Sequence, residues 1–332
     1  MVDLSATAKL MVAPGKGLLA ADESTATAGK RLAQYGIRDD TEMRRKYREL
    51  FLDAPGVEEY LSGVILYEET TEENADSGTP FVKLLAGKGI LPGIKVDKGT
   101  EPFPGSAGEL ITNGLVGLSD RLECFAAEGL TFTKWRAVIT IDGDKLPTPA
   151  ALVENAKRLA TYALEAQKAG MVPILEPEVL LDGNHSRIRA RDVITETMKA
   201  LFAALEDQSA DLSGIIIKTS MALSGAGSGH HDAPEEVAES TLDALMNGIP
   251  AQVPGVVFLS GGQSPQQATD NLRAVAQRAR AAGAPWPLTF SYARALQEEA
   301  MELWKGDDAN MPAARAAFLA RLKKVSDAAR GA

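Results

Sequence analysis

The sequence is short of the groups on which disulfide, metal and redox proteins depend. Its 332 residues hold one cysteine, Cys124, and three histidines, His185, His230 and His231. A lone thiol closes no disulfide within its own chain, and without a metal-spaced partner its plainest place is as a small apolar residue packed inside, in a reducing cytoplasm. His230 and His231 are adjacent in the stretch SGAGSGHHDAP. Neighbouring side chains seldom converge on one ion, so a solvated loop is expected there, with no metal and no other cofactor. Positive charge is scarce too: 35 Lys and Arg against 45 Asp and Glu leave a net charge of -10. That balance argues against nucleic acid or an anionic membrane as a partner, and an anionic small molecule would need a local basic pocket. No run approaches the roughly 18 apolar residues of a membrane span, and MVDLSATAKLMVAPGKG lacks the apolar core of a leader peptide. A soluble cytoplasmic protein is expected.

What is present is an ordinary globular mixture, 45% hydrophobic and 24% charged, sufficient for a large core. Length alone leaves one domain or two open. Three helices announce themselves. Thr148-Pro149 opens one before Leu152, Ala156, Leu159, Ala160, Ala163 and Ala166, with Gly170 closing it. A second is expected from about 186 to 207, and a third from the capping box Ser264-Pro265-Gln266-Gln267 to Gly283. Among them lie eight short apolar or mixed runs: GLLAADES (17–24), GVILYEE (63–69), GIKVDKG (93–99), FTKWRAVIT (132–140), MVPILEPEV (171–179), GIIIKTSM (214–221), GVVFLSGG (255–262) and PLTFSYAR (287–294). Strands alternating with helices predict a parallel sheet, and eight of them predict an α/β fold closed into a (β/α)8 barrel.

Most runs end in a polar or charged residue: Asp22, Glu68, Lys95, Lys134, Glu176, Lys218, Ser260 and Ser291. In barrels that end of the strands is the catalytic face. Unbroken isoleucines in GIIIKTSM indicate a strand buried on both faces, which leaves Lys218 two roles, a strand end reaching water or a functional amine. Lys134 and Arg136 share a strand face, as do Glu176 and Glu178, while Trp135 points the other way into the core. These pairs are either solvated ends joined by weak surface ion pairs or two bases and two acids at one mouth. Gathering Lys95, Lys134 and Lys218 would lower the pKa of at least one ammonium and free a nucleophile for a ketone. Asp22, Glu176 and Glu178 could then move protons, which is the constellation of a Schiff-base lyase. LSGGQS after the seventh run and SYARAL after the eighth stand where barrels hold phosphate: Gly261 and Gly262 would let backbone amides approach, Ser260 would donate a hydroxyl, and Arg294 would pair with phosphate oxygens. STATAGKR (24–31) imitates a P-loop, but Ser24 replaces the first glycine and Arg31 the magnesium-binding hydroxyl.

Together APGKGLLAADEST, SGVILYEE, GIKVDKG, KWR, EPE, LDGNH, LSGGQS and the TFSY and RAL segments run in order along nearly the whole chain. In this the sequence resembles the class I fructose-1,6-bisphosphate aldolases. The resemblance implies a single (β/α)8 domain over residues 1–332 with a helical tail from about 305. It implies Lys218 as the Schiff-base lysine attacking the C2 ketone, Glu176 as the acid/base of imine formation, Asp22 as the base for the C4 hydroxyl and Lys134 as the adjoining cation. It places Ser260, Gly261, Gly262, Ser291 and Arg294 at the C1 phosphate, and Lys95, Ser24 and Arg31 at the other. Glu178 and Arg136 become supporting groups and Arg44 a substrate-side group. The implied partner is a sugar phosphate, no metal or cofactor takes part, and the family's tetramers imply a homo-oligomer. Thr219-Ser220 replaces the family's usual Pro-Asn, Ala293 a glycine and Thr27 a serine. Family members end in a tyrosine that exchanges protons on the enamine, whereas the last tyrosine here is Tyr292. Two other readings stand beside this one: a Schiff-base aldolase or transaldolase for a related sugar phosphate, and a binding protein on a catalytically retired barrel.

Overall fold

The computed structural model describes residues 3–332. Eight parallel strands close into a barrel: Gly17–Ala21, Leu61–Leu66, Leu91–Lys95, Phe132–Ile139, Val172–Val179, Ile216–Thr219, Val256–Phe258 and Leu288–Tyr292. Each pairs with the next in chain order, and the eighth closes on the first through Leu18 opposite Ser291. Each of the eight expected runs overlaps a barrel strand. The second and third begin two residues earlier than the apolar pattern suggests, and Glu68–Thr71, at the end of the second run, is a short helix. A hairpin of Thr100–Pro102 with Leu110–Thr112, absent from the sequence reading, extends the loop after the third strand.

Alternation explains why the strands read as continuous apolar runs. Leu18, Ala20, Ile65, Phe132, Val172, Ile174, Ile216 and Val257 pack together inside the barrel, and Ala8, Met11 and Val12 join them from the N-terminal helix Leu4–Met11 and its end. The residues between them, among them Leu19, Val64, Ile94, Trp135, Leu175, Ile215, Ile217 and Phe258, pack outward in a second core with the helices. Both faces are therefore dry, as a barrel requires. Phe132 fills the interior only because its neighbours are glycines. A methyl at Gly63 would stand 3.0 Å from the Phe132 ring, and one at Gly93 would occupy the ring's own space.

The helices begin and end where short-range chemistry directs. Thr148, Ser186 and Ser264 accept from the amides of Ala151, Arg189 and Gln267, opening helices Pro149–Lys168, Arg187–Asp207 and Pro265–Ala282. Gly283, at φ 66°, stops the last of these. The expected tail is a docked element, helix Met311–Ala329. It buries Ala314, Phe318, Leu322 and Val325, with Phe318 set edge-on to Phe51 at 4.9 Å. Trp135 is core, stacked on Tyr162. Cys124 corrects the expectation of a packed thiol. On helix Leu118–Ala127 the inward positions are Leu118, Leu122 and Phe125, which leaves Cys124 exposed.

Candidate active site

Period-two alternation carries the interior apolar layer directly into a polar one. Two residues beyond Ala20, Phe132, Ile174 and Ile216 come Asp22, Lys134, Glu176 and Lys218, all lining one cavity of about 890 Å³ at the C-terminal mouth. The next step along the fourth and fifth strands brings Arg136 and Glu178, also in the lining. Lys218 does not end its strand by reaching water: it is 3% exposed, as are Lys134 and Glu176.

These charges form one chain of contacts. Lys218 Nζ is 3.0 Å from Glu176 Oε1, and Lys134 Nζ is 3.1 Å from Glu176 Oε2 and 2.5 Å from Asp22 Oδ2. Arg136 pairs with Glu178. Burial alone would raise the Asp22 carboxyl, but Lys134 and Lys218 outweigh it and hold the group down at about 2. Glu176 is likewise lowered, with the same two ammonium groups overcoming desolvation. Lys134 is not the lysine of lowered pKa expected among the three. Burial pulls the ammonium down, but Asp22 and Glu176 lift it well above the ordinary lysine range. Lys134 is thus a fixed cation.

The loops after the seventh and eighth strands bring Ser260, Gly261, Gly262, Ser291 and Arg294, the residues expected at a phosphate, to the same cavity. Ser260 to Gln263 forms a tight turn whose central residues, Gly261 and Gly262, have φ of 54° and 89°, a conformation that side chains resist. The Arg294 guanidinium comes within 4.0 Å of where a Gly262 side chain would begin. Ser291 is 1% exposed, and its Oγ lines the wall without a hydrogen-bond partner among the described residues. Ser24, Arg31 and Lys95 line the same cavity. Ser24 also caps helix Thr25–Gln34, so the P-loop imitation is a helix start.

Arg44 is not brought to this cavity. Its guanidinium, carried by helix Thr41–Leu52, is held by Glu69 at 2.7 Å and Asp39 at 2.6 Å, and Arg44 is absent from the cavity lining. Two site residues escape sequence reasoning. Asp97 binds Lys95 Nζ at 2.6 Å and accepts from the Arg136 amide at 3.2 Å, tying two strands together. Glu23 pairs with Arg31 and lies 3.3 Å from Arg48. Asp97 lies past the end of its strand and Glu23 on the outward parity beside Asp22, so period two gives neither a signal. Tyr292 lies outside the lining, with its hydroxyl donating to Ala268 O at 3.0 Å. His230 Nε2 is 3.6 Å from Asp232, with Glu236 close by, but Arg187 already lies 3.3 Å from each carboxylate.

Fold and cavity are those of a (β/α)8 enzyme with buried lysines and carboxylates gathered at the C-terminal mouth. The chain belongs to the class I fructose-bisphosphate aldolase family: residues 3–332 match the family model "Fructose-bisphosphate aldolase class-I". It is 48% identical over 304 residues to a "Probable fructose-bisphosphate aldolase class 1" of Xanthomonas campestris, covering 92% of this chain and 90% of that one. It is 46% identical over 330 residues to "Fructose-bisphosphate aldolase 6, cytosolic" of Arabidopsis thaliana, covering 99% and 91%. A solved fructose-bisphosphate aldolase from Plasmodium falciparum, in complex with TRAP and a small-molecule inhibitor, superposes with a TM-score of 0.96 at 39% identity. That match covers 99% of this chain and 94% of the other.

Proposed function

We propose that this protein cleaves fructose 1,6-bisphosphate reversibly to dihydroxyacetone phosphate and glyceraldehyde 3-phosphate through an imine on Lys218. The observation that carries the reading is the placement of Lys218, buried one step above Ile216 with a carboxylate oxygen 3.0 Å from its amine. As the neutral amine, Lys218 adds to the C2 ketone, and the carbinolamine loses water to give an iminium. Glu176 is placed to take the amine's proton and to deliver one to the departing hydroxyl. Asp22, ionised throughout the neutral range, accepts the C4 hydroxyl proton. The C3–C4 electron pair then passes to the imine nitrogen and the aldehyde leaves. The enamine takes up a proton at C3, and water hydrolyses the resulting imine to regenerate Lys218. Lys134 stays charged through the cycle and keeps both carboxylates ionised until each takes up its proton.

Ser260, Gly261, Gly262, Ser291 and Arg294 are assigned to the C1 phosphate, supported by their common place in the cavity lining and by a Ser291 Oγ without a hydrogen-bond partner among the described residues. Ser24, Arg31 and Lys95 are assigned to the second phosphate, and Arg136 with Glu178 to support between the two. Arg44 has no part in this assignment, because Glu69 and Asp39 already engage it. The chain is read as one barrel domain working as a homo-oligomer in the cytoplasm; the cytosolic plant relatives support the location, and no described helix is long and apolar enough to cross a membrane. A steady-state cleavage assay with fructose 1,6-bisphosphate and fructose 1-phosphate tests the substrate. A bisphosphate enzyme shows the higher kcat/KM on the former, and equal values would favour a different sugar-phosphate aldolase.

A further inference from the structure

Arg31 reaches the cavity through a buried polar latch drawn from separate parts of the chain. Its Nη1 faces Glu23 Oε1 at the end of the first strand, Tyr47 Oη at 2.9 Å and Gln297 Oε1. Tyr47, fully buried on helix Thr41–Leu52, donates its single proton to Glu23 Oε1 at 2.9 Å. Arg48, one residue on, donates to Glu23 O at 2.6 Å and fixes the acid from its other side. Gln297 is 1% exposed and lies three residues after Arg294 on helix Arg294–Trp304. Arg31 Nε and Nη2 make no hydrogen bond among the described residues, and Arg31 lines the cavity. One nitrogen is pinned, and the other two have no protein partner among the described residues.

A free arginine loses rotamer freedom when it grips an anion, whereas one already pinned at its tip does not. Gln297 also links this arm to the helix that carries Arg294, so the separation of the two arginines is set by protein contacts. We propose that Tyr47 and Gln297 are positioning residues that set the place of Arg31 and thereby the preference for a substrate with a second phosphate. The inference rests on the reading of Arg31 as a donor to that phosphate. Neither residue lines the cavity. Burial and the neighbouring Glu23 push the Tyr47 phenol well above its ordinary range, so it remains a neutral donor across working pH.

The test compares kcat/KM for fructose 1,6-bisphosphate with kcat/KM for fructose 1-phosphate in Tyr47→Phe, Gln297→Leu and Arg31→Ala proteins. Tyr47→Phe keeps the ring that packs edge-on to Phe51 at 5.5 Å. The ratio is expected to fall about tenfold in Tyr47→Phe and Gln297→Leu, through a raised KM for the bisphosphate, and further in Arg31→Ala. A purely structural role would lower both substrates in parallel and leave the ratio in place, which would overturn the inference. If Arg31→Ala lowers the ratio and the other two do not, the latch is refuted while the phosphate role of Arg31 survives. If Arg31→Ala also leaves it unchanged, both fall. Should Tyr47→Phe fail to fold, Gln297→Leu decides the matter alone.

Discussion

Lys218 and Lys134 bind opposite oxygens of one carboxylate, at 3.0 Å to Glu176 Oε1 and 3.1 Å to Glu176 Oε2. Two buried ammonium groups are thereby held in one small space by a single shared anion, with Asp22 supporting the second of them. Removing the anion should therefore disturb chemistry and stability together. Glu176→Gln is expected to lower kcat by about a hundredfold to ten-thousandfold as the proton carrier of imine formation is lost. It should also destabilise the fold by about 3 kcal/mol, because two cations stay buried with one partner fewer. Steady-state kinetics with urea unfolding at pH 7 checks both, and a variant with wild-type turnover would remove Glu176 from the mechanism.

Asp22 makes stability depend on pH in a defined window. Its folded pKa, about 2, lies below the ordinary 3.8, so the unfolded state binds more protons between these values and stability rises with pH there. The contribution is present above about pH 4 and lost as pH falls through about 2, an amount of about 2 kcal/mol. Unfolding free energies at pH 4.5 and pH 2.5 should therefore fall less in Asp22→Asn than in wild type. Equal slopes would show that the Lys134 contact does not act on Asp22 as described.

Gly93 makes room for Phe132 inside the barrel, one step below Lys95. Gly93→Ala is expected to cost about 1–3 kcal/mol by overpacking, with part of the loss recovered by adding Phe132→Leu. Thermal unfolding of the single and double variants measures this. A neutral Gly93→Ala would mean that the ring does not fill the space assigned to it.

These contacts also mark how far the sequence is legible. The eight runs could be seen because the strands are mainly apolar on both faces below their C-terminal ends, the helices at 149–168 and 265–282 because Thr148 and Ser264 cap them, and that at 187–207 because Val193, Ile194, Met198, Leu201, Phe202 and Leu205 share one face. The direction of Lys218 could not be settled from GIIIKTSM alone. A slip of one residue would send it to the outer face, and only Ile216 packing inside the barrel fixes the register. Asp97 and Arg44 show the other limit. Each is placed by partners distant in sequence, Arg136 for the one and Glu69 for the other, and no local pattern encodes such meetings. The raised pKa of Lys134 was hidden for a related reason: counting lysines gives repulsion, whereas the distances to Asp22 and Glu176 decide the sign.

Arg294→Ala should raise KM for fructose 1,6-bisphosphate by about tenfold to a hundredfold, the loss of charge-assisted hydrogen bonds to a phosphate, with some loss in kcat from poorer positioning. Initial-rate kinetics across substrate concentration separates the two effects. Unchanged KM would remove Arg294 from the phosphate site despite its closeness to Gly262.

The central claim is that Lys218 is the nucleophile and not merely a buried cation, and Lys218→Arg separates the two because guanidinium stays protonated and forms no imine. The most direct measurement treats wild-type and Lys218→Arg proteins with dihydroxyacetone phosphate and borohydride, then locates the reduced adduct by peptide mass spectrometry. The account predicts a stable adduct on Lys218 in the wild type and none in the variant, with turnover lower by on the order of a thousandfold or more. An adduct on another lysine, or near-normal turnover in a folded Lys218→Arg protein, would contradict it.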